Sequence, residues 1–107
     1  MTVLVTGVGG MVGQGVLKNI HRSYKDRFTI IGTDVNHVTC GNHLCDKLYK
    51  VAPAYQDYVY KNMIHEICTK EEVRLIIPTT DLEGYHLTRF RIDLDCTIVA
   101  ALHRIHQ

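Results

Sequence analysis

Charge of one sign is scarce in this chain: 12 Lys and Arg stand against 11 Asp and Glu, the net charge is +1, and neither sign forms a long run. Such a balance offers no nucleic-acid surface and no acidic tail, and no basic stripe is interleaved with aromatics. Long apolar runs are missing as well. The longest, such as those within Met1–Val5 and Ile98–Leu102, fall far short of the roughly 20 residues that cross a bilayer. The N-terminus lacks the basic segment and long apolar segment of a secretory signal, because Met1 leads directly into a strand-like run. A cytoplasmic location is the resulting expectation. The four cysteines, Cys40, Cys45, Cys68 and Cys96, form no C-x-x-C pair and follow no regular spacing. That excludes a recognisable disulfide framework or ribbon-type zinc site and predicts free thiols.

His37, Cys40, His43 and Cys45 crowd into one loop, yet their intervals match no zinc finger or ribbon. His103 and His106 read as exposed helix or tail residues rather than ligands. A Walker-type loop and a nucleophile elbow are both absent, so no catalytic machinery is visible. No repeat, low-complexity tract or Gly/Ser/Pro-rich linker interrupts the chain. Its 107 residues suit one core and one domain spanning 1–107.

What is present is an alternation of short apolar runs and helical patterns. Val3-Leu4-Val5 reads as a buried strand. After a glycine loop, Val12, Val16, Leu17 and Ile20 recur at helical spacing, which predicts a first helix reaching about His21 or Arg22. Phe28 to Gly32, running into Thr33-Asp34, is the second strand, and Leu48 to Val51 a short third one before Pro53. Asp57 is placed to cap a helix carrying Val59, Met63, Ile64, Ile67 and Cys68 on one face. Val73 to Ile77 is a fourth strand stopped by Pro78, and Thr80-x-x-Glu83 has the form of a capping box opening a helix that reaches about Phe90. Cys96 to Ala100 supplies a fifth strand. Parallel neighbours need crossover connections, so this order predicts an α/β, Rossmann-like, doubly wound and mainly parallel five-stranded sheet flanked by helices. Ligands on such a sheet sit beyond the carboxyl ends of its strands.

Two loops are expected on that rim. The first is Thr6-Gly7-Val8-Gly9-Gly10-Met11-Val12-Gly13. Gly7 would permit a tight turn, Gly9 and Gly10 a close ligand approach, and Gly13 close packing of the helix on the sheet. Amides at the helix start, around Met11, would favour an anion. Asp34, 21 residues after Gly13, stands where a dinucleotide fold places the acid that accepts ribose hydroxyls. The loop thus reads either as an anion or nucleotide cradle or as a turn, and Asp34 either as a ribose acceptor or as a strand-end turn former. The second loop, Pro78-Thr79-Thr80-Asp81-Leu82-Glu83, could line a pocket with Thr79, Thr80, Asp81 and Glu83. Thr80 and Glu83 are equally explained as reciprocal caps worth about 1 kcal/mol.

The whole chain resembles the pre-ATP-grasp domain of carbamoyl-phosphate-synthase-like ATP-grasp proteins. The opening strand and loop through Gly10, the run Ile30-Ile31-Gly32-Thr33-Asp34, and Val73-Arg74-Leu75-Ile76-Ile77-Pro78-Thr79-Thr80-Asp81 are similar to that family's segments in the same order. Cys45-Asp46-Lys47-Leu48-Tyr49-Lys50-Val51-Ala52-Pro53 is similar to its A-D-K-x-Y-x-V-P stretch, with Ala52 inserted. Gly84 and Tyr85 depart from its more aliphatic helix. The resemblance implies the N-terminal, substrate-side domain of a ligase that activates a carboxylate with Mg-ATP and passes it to an amine or similar nucleophile. It also implies that ATP and Mg2+ are held mainly by a separate ATP-grasp domain, in cis or in trans, since the sequence stops at Gln107 where the family continues. On this reading the domain is not catalytic alone and contacts a small-molecule substrate, and homodimerisation stays open. Two alternatives also suit the residues: the NAD(P)-binding domain of an extended short-chain dehydrogenase or epimerase, and a non-catalytic nucleotide-sensing module. Against the dehydrogenase stands Pro78-Thr79-Thr80-Asp81, where that family favours small residues.

Overall fold

A computed structural model of the protein describes residues 1–24, 27–36, 44–94 and 97–98. Four strands of four to six residues, β1 (Thr2–Val5), β2 (Thr29–Asp34), β3 (Lys47–Lys50) and β4 (Val73–Ile77), alternate with α1 (Met11–Tyr24), α2 (Asp57–Lys70) and α3 (Asp81–Leu94). A two-residue fifth strand, β5 (Thr97–Ile98), completes the sheet. All pairings are parallel and the spatial order is β3-β2-β1-β4-β5. The α/β, Rossmann-like doubly wound class is therefore as the sequence implied. The fifth strand is shorter than the expected Cys96 to Ala100, of which 96, 99 and 100 lie outside the described residues.

β1 is continuously apolar because both of its faces are covered. Val3 and Val5 join Val8, Leu17, Ile20 and Ile30 in a cluster on the α1 side, whereas Leu4 joins Ile31, Tyr60, Ile64, Ile67, Ile76 and Leu87 on the α2 and α3 side. Simple alternation would put Val73 and Ile76 on opposite faces, but both belong to the second cluster. A register shift against β1 resets the phase, for Thr2 pairs with Val73 and Val3 with Leu75. Gly32 is required where β2 meets β3: a Cβ there would lie 2.6 Å from Cys45 Sγ.

Two helix faces differ from the sequence reading. Val12 is half exposed and Gly13 is the buried residue of that turn, so α1 packs through Gly13, Leu17 and Ile20. In α2 the buried residues are Tyr60, Ile64, Ile67 and Cys68, with Met63 only partly covered. Val59 is 50 % exposed. The set 60, 64, 67 and 68 has the i, i+4, i+7, i+8 spacing of one helical stripe, so Ile64, Ile67 and Cys68 are buried as expected and Tyr60 takes the place assigned to Val59. Asp57 is not the cap: Gln56 occupies that position without a side-chain bond. The Asp57 carboxylate turns to α3, its Oδ1 lying 2.5 Å from His86 Nδ1 and its Oδ2 3.8 Å from Arg89.

α2 ends at the Glu71-Glu72 turn, where Glu72 adopts a φ of 54°. The Tyr49 hydroxyl donates to Glu71, and Lys47 Nζ lies 3.0 Å from the same carboxylate, tying the edge strand β3 to that turn. Those two donors hold the Glu71 carboxyl below the usual carboxylate range, and the bond to Glu71 raises the Tyr49 hydroxyl. No helix among the described residues is long and apolar enough to cross a membrane.

Candidate functional site

Strand order in the sheet reverses at β1, with β2 and β3 to one side and β4 and β5 to the other. The loops leaving β1 and β4 therefore face each other across the crevice where open α/β sheets bind ligands. Both loops run over the carboxyl edge, as the sequence implied. Residues Gly7, Gly10, Asp34, Val35, Pro53, Ala54, Tyr55, Thr80, Leu82 and Glu83 line a cleft of about 270 Å³ there.

Thr79 joins the two loops from beneath. Its hydroxyl donates to the Thr6 carbonyl at 2.7 Å, and its backbone N–H donates to Thr6 Oγ1 at 3.3 Å. With both threonines buried, this pair sets the width of the crevice instead of meeting a ligand. Gly7, at φ +60°, has no room for a side chain, since a Cβ would stand 2.6 Å from Thr79 Oγ1 and 3.0 Å from Glu83 Oε1. Gly13 is equally constrained, because a Cβ would approach the Gly7 carbonyl oxygen to 2.3 Å. Gly13 accordingly serves the packing of α1 on the loop and lies outside the cleft lining.

The loop amides are largely answered by the protein itself. Val8 N–H donates to the Thr33 carbonyl at 3.1 Å and Gly10 N–H to the Gly7 carbonyl at 3.1 Å. Gly9 N–H donates to Asp34 Oδ2 at 2.7 Å, and Asn36 N–H to Asp34 Oδ1 at 3.0 Å. Asp34 is thus both things the sequence left open: a strand-end turn former and a cleft-lining acceptor whose further lone pairs remain available. Gly9 and Met11 do not line the cleft, and the Met11 side chain is 91 % exposed at the start of α1.

Glu83 reaches into the cleft from the first turn of α3. Its N–H donates to Thr80 Oγ1 at 3.2 Å, which is one half of the expected capping box. The returning half is replaced: Glu83 Oε1 accepts from the Thr80 hydroxyl at 3.0 Å and Oε2 from the Tyr60 hydroxyl at 2.7 Å. Burial raises the Glu83 carboxyl above its ordinary range. The hydroxyls of Tyr60, Thr80 and Thr6 act in the opposite sense, and the charge of Asp34 adds to the rise. Tyr60, fully buried, is itself pushed upward by burial and by Glu83. Asp81 is exposed at the helix start beside the cleft and does not line it.

The lining that sequence reasoning missed, Val35, Pro53, Ala54, Tyr55 and Leu82, comes from three different loops and forms no motif. Among the described residues, no Lys, Arg or His lines the cleft. The described lining holds two carboxylates, Asp34 and Glu83. No group of three or more His, Cys, Asp or Glu among the described residues is placed to hold a metal ion. Of the four loop residues considered for zinc, His37, Cys40 and His43 lie outside the described residues. The thiol of Cys45 is pushed up to about 11 by burial and by Asp46. Cys96, His103 and His106 also lie outside the described residues.

Comparison with solved structures finds a similar architecture within several larger proteins. dTDP-glucose 4,6-dehydratase from Bacillus anthracis str. Ames, in complex with NAD, matches with a TM-score of 0.63 and 16 % identity over 92 % of this chain and 36 % of that one. L-threonine dehydrogenase from Phytophthora infestans matches with a TM-score of 0.65 and 14 % identity over 92 % and 34 %. UDP-glucose 4-epimerase from Thermotoga maritima, with UDP-glucose, matches with a TM-score of 0.60 and 15 % identity over 90 % and 35 %. At such identities the likeness concerns the fold alone, and the chain spans about a third of the length of each structure. A search of curated proteins finds no match. A family model described as "PylC-like, N-terminal domain" matches residues 3–99. That span takes in β1 to β4, all three helices and both loops of the cleft, and the chain belongs to the family of PylC-like N-terminal domains, pre-ATP-grasp domains of ATP-grasp ligases.

Proposed function

We propose that this domain forms the substrate-side wall of a carbamoyl-phosphate-synthase-like ATP-grasp ligase, which activates a carboxylate with ATP and transfers it to an amine or similar nucleophile. The observation that carries the reading is the cleft itself. Among the described residues its lining offers acceptors, hydroxyls and apolar walls for a small reactant and no cation to neutralise a triphosphate. Mg-ATP would supply the activating phosphoryl group and would be held by the ATP-grasp partner, in cis or in trans. What this chain's residues do is bind and orient: Asp34, Thr80 and Glu83 accept or donate hydrogen bonds, while Val35, Pro53, Tyr55 and Leu82 exclude water.

The surface around the cleft supports a partner on the same edge. Met11, Val12, Val35, Tyr55, Tyr58, Val59, Leu82 and Tyr85 are all large, apolar or aromatic, and exposed. Each lies in a loop or the opening of a helix at the carboxyl edge. Apolar side chains gathered on one rim mark an interaction surface, and an ATP-grasp domain seated there would close the cleft. A cytoplasmic setting, where ATP and small metabolites are at hand, suits this assignment.

A dinucleotide-binding domain is the second reading, favoured by the strand order and by an acid at the end of β2. The two separate in one assay series. The purified chain is expected to hydrolyse no ATP, and an added ATP-grasp domain is expected to restore amine-dependent release of ADP and phosphate. ATP hydrolysis by the pure chain would sink the ligase reading, and NADH binding alone would favour the second.

A further inference from the structure

Glu83 stands in the crevice where a dinucleotide fold carries its ligand. In sheets of this order the ligand crosses outside the carboxyl ends of the strands at the point where the order reverses, with its diphosphate at the glycine loop. That point lies here between Gly7, after β1, and the first turn of α3, after β4. The Glu83 carboxylate projects into that crevice. Oε1 sits 3.0 Å from the place a Cβ on Gly7 would take, and the side chain is held there from two directions by Tyr60 and Thr80.

Asp34 does not account for an exclusion on its own. An acid at the end of the second strand is what such folds use to accept ribose hydroxyls. Glu83 is the added element: a second carboxylate lining the same cleft as Asp34, whose charge acts on it, with no cation among the described lining residues. A diphosphate entering between them would meet both the bulk of the side chain and its charge. We propose that Glu83 bars dinucleotides from this crevice, turning a sheet of the NAD-binding type into one that rejects a diphosphate. The inference is independent of the ligase assignment, because it concerns only what this domain refuses.

The test is titration of the 107-residue chain with NADH, followed by nucleotide fluorescence, and with inorganic pyrophosphate, followed by calorimetry. Wild type, E83Q and E83A are compared. E83Q keeps the size and the Tyr60 bond but removes the charge, whereas E83A removes both. Wild type is expected to show no saturable binding. E83A should bind at least about tenfold tighter, equivalent to about 1.4 kcal/mol, with E83Q between the two. Thermal unfolding checks that each variant is folded. If E83A does not fold, E83Q decides: a gain in affinity supports the proposal and no gain overturns it. Saturable NADH binding by wild type, or a folded E83A no tighter than wild type, also overturns it. No ATP-grasp component enters this experiment, so its failure is distinct from failure of the ligase reading.

Discussion

A side chain at position 7 would meet Thr79 and Glu83 at once, in a backbone conformation that side chains disfavour. Gly7→Ala is therefore expected to cost about 1–3 kcal/mol, the range for a non-glycine residue held in a sparsely populated conformation, read as a lower midpoint in urea. A midpoint unchanged from wild type would show that the loop relaxes freely. Glu83 gives a pH-dependent expectation. Its folded pKa is raised above the ordinary 4.5, so its contribution to stability is fully present below that value and is lost as pH rises through the folded pKa. Relative to E83Q, wild type should lose stability as pH rises above the ordinary 4.5 and through the raised folded pKa, and a difference that stays constant as pH rises would contradict the burial of this carboxyl. The glycine spacing and the acid at position 34 were legible from order alone. That Gly9 N–H would be taken by Asp34, and that Glu83 would leave its capping role for Tyr60, were not, because both depend on contacts 25 and 23 residues away in sequence.

Between elements, the polar link of α2 to α3 runs through two rungs: Asp57 to His86, and Tyr60 to Glu83. Position 57 precedes 60 by one helical turn, and 83 precedes 86 likewise, so each helix presents both of its groups on one face. A double-mutant cycle of Asp57→Ala and His86→Ala is expected to give a coupling of about 0.5–1 kcal/mol, since Asp57 is partly exposed and its charge is screened. Additive effects would mean the contact contributes nothing. Tyr60→Phe should cost about 1 kcal/mol by removing one donor from a buried carboxylate, with unfolding in urea as the measurement. Strand runs and helix periods announced these elements, because burial on two faces demands continuous apolar stretches and burial on one demands a stripe. On α2 the buried face was legible at Ile64, Ile67 and Cys68, and missed at its first position, since Val59 is the more apolar side chain and Tyr60 the better-placed one. The Asp57 cap was misread for a related reason: a first-turn acid serves a helix end or a neighbouring helix equally well in one dimension.

At the scale of the molecule, one edge of the sheet carries both the cleft and a collar of exposed apolar side chains. Replacing Tyr55, Tyr58 and Leu82 together by Ser should leave stability within about 0.5 kcal/mol per site, as for surface positions generally. If the proposed ATP-grasp partner docks on this edge, the same triple variant should weaken that association, measured by sedimentation. Unimpaired association would move the docking face elsewhere. The doubly wound parallel class was legible because strands alternating with helices need crossover connections. The collar was not, because its members are scattered from position 11 to position 85 and meet only in three dimensions. The bond between Thr79 and the Thr6 carbonyl spans 73 positions, so the cradle has one wall until the fourth strand lies beside the first. Closing so long a loop is entropically costly and late. During synthesis, therefore, the two loops cannot face each other until the residues of β4 have left the ribosome, and opening of the cleft coincides with arrival of the fourth strand.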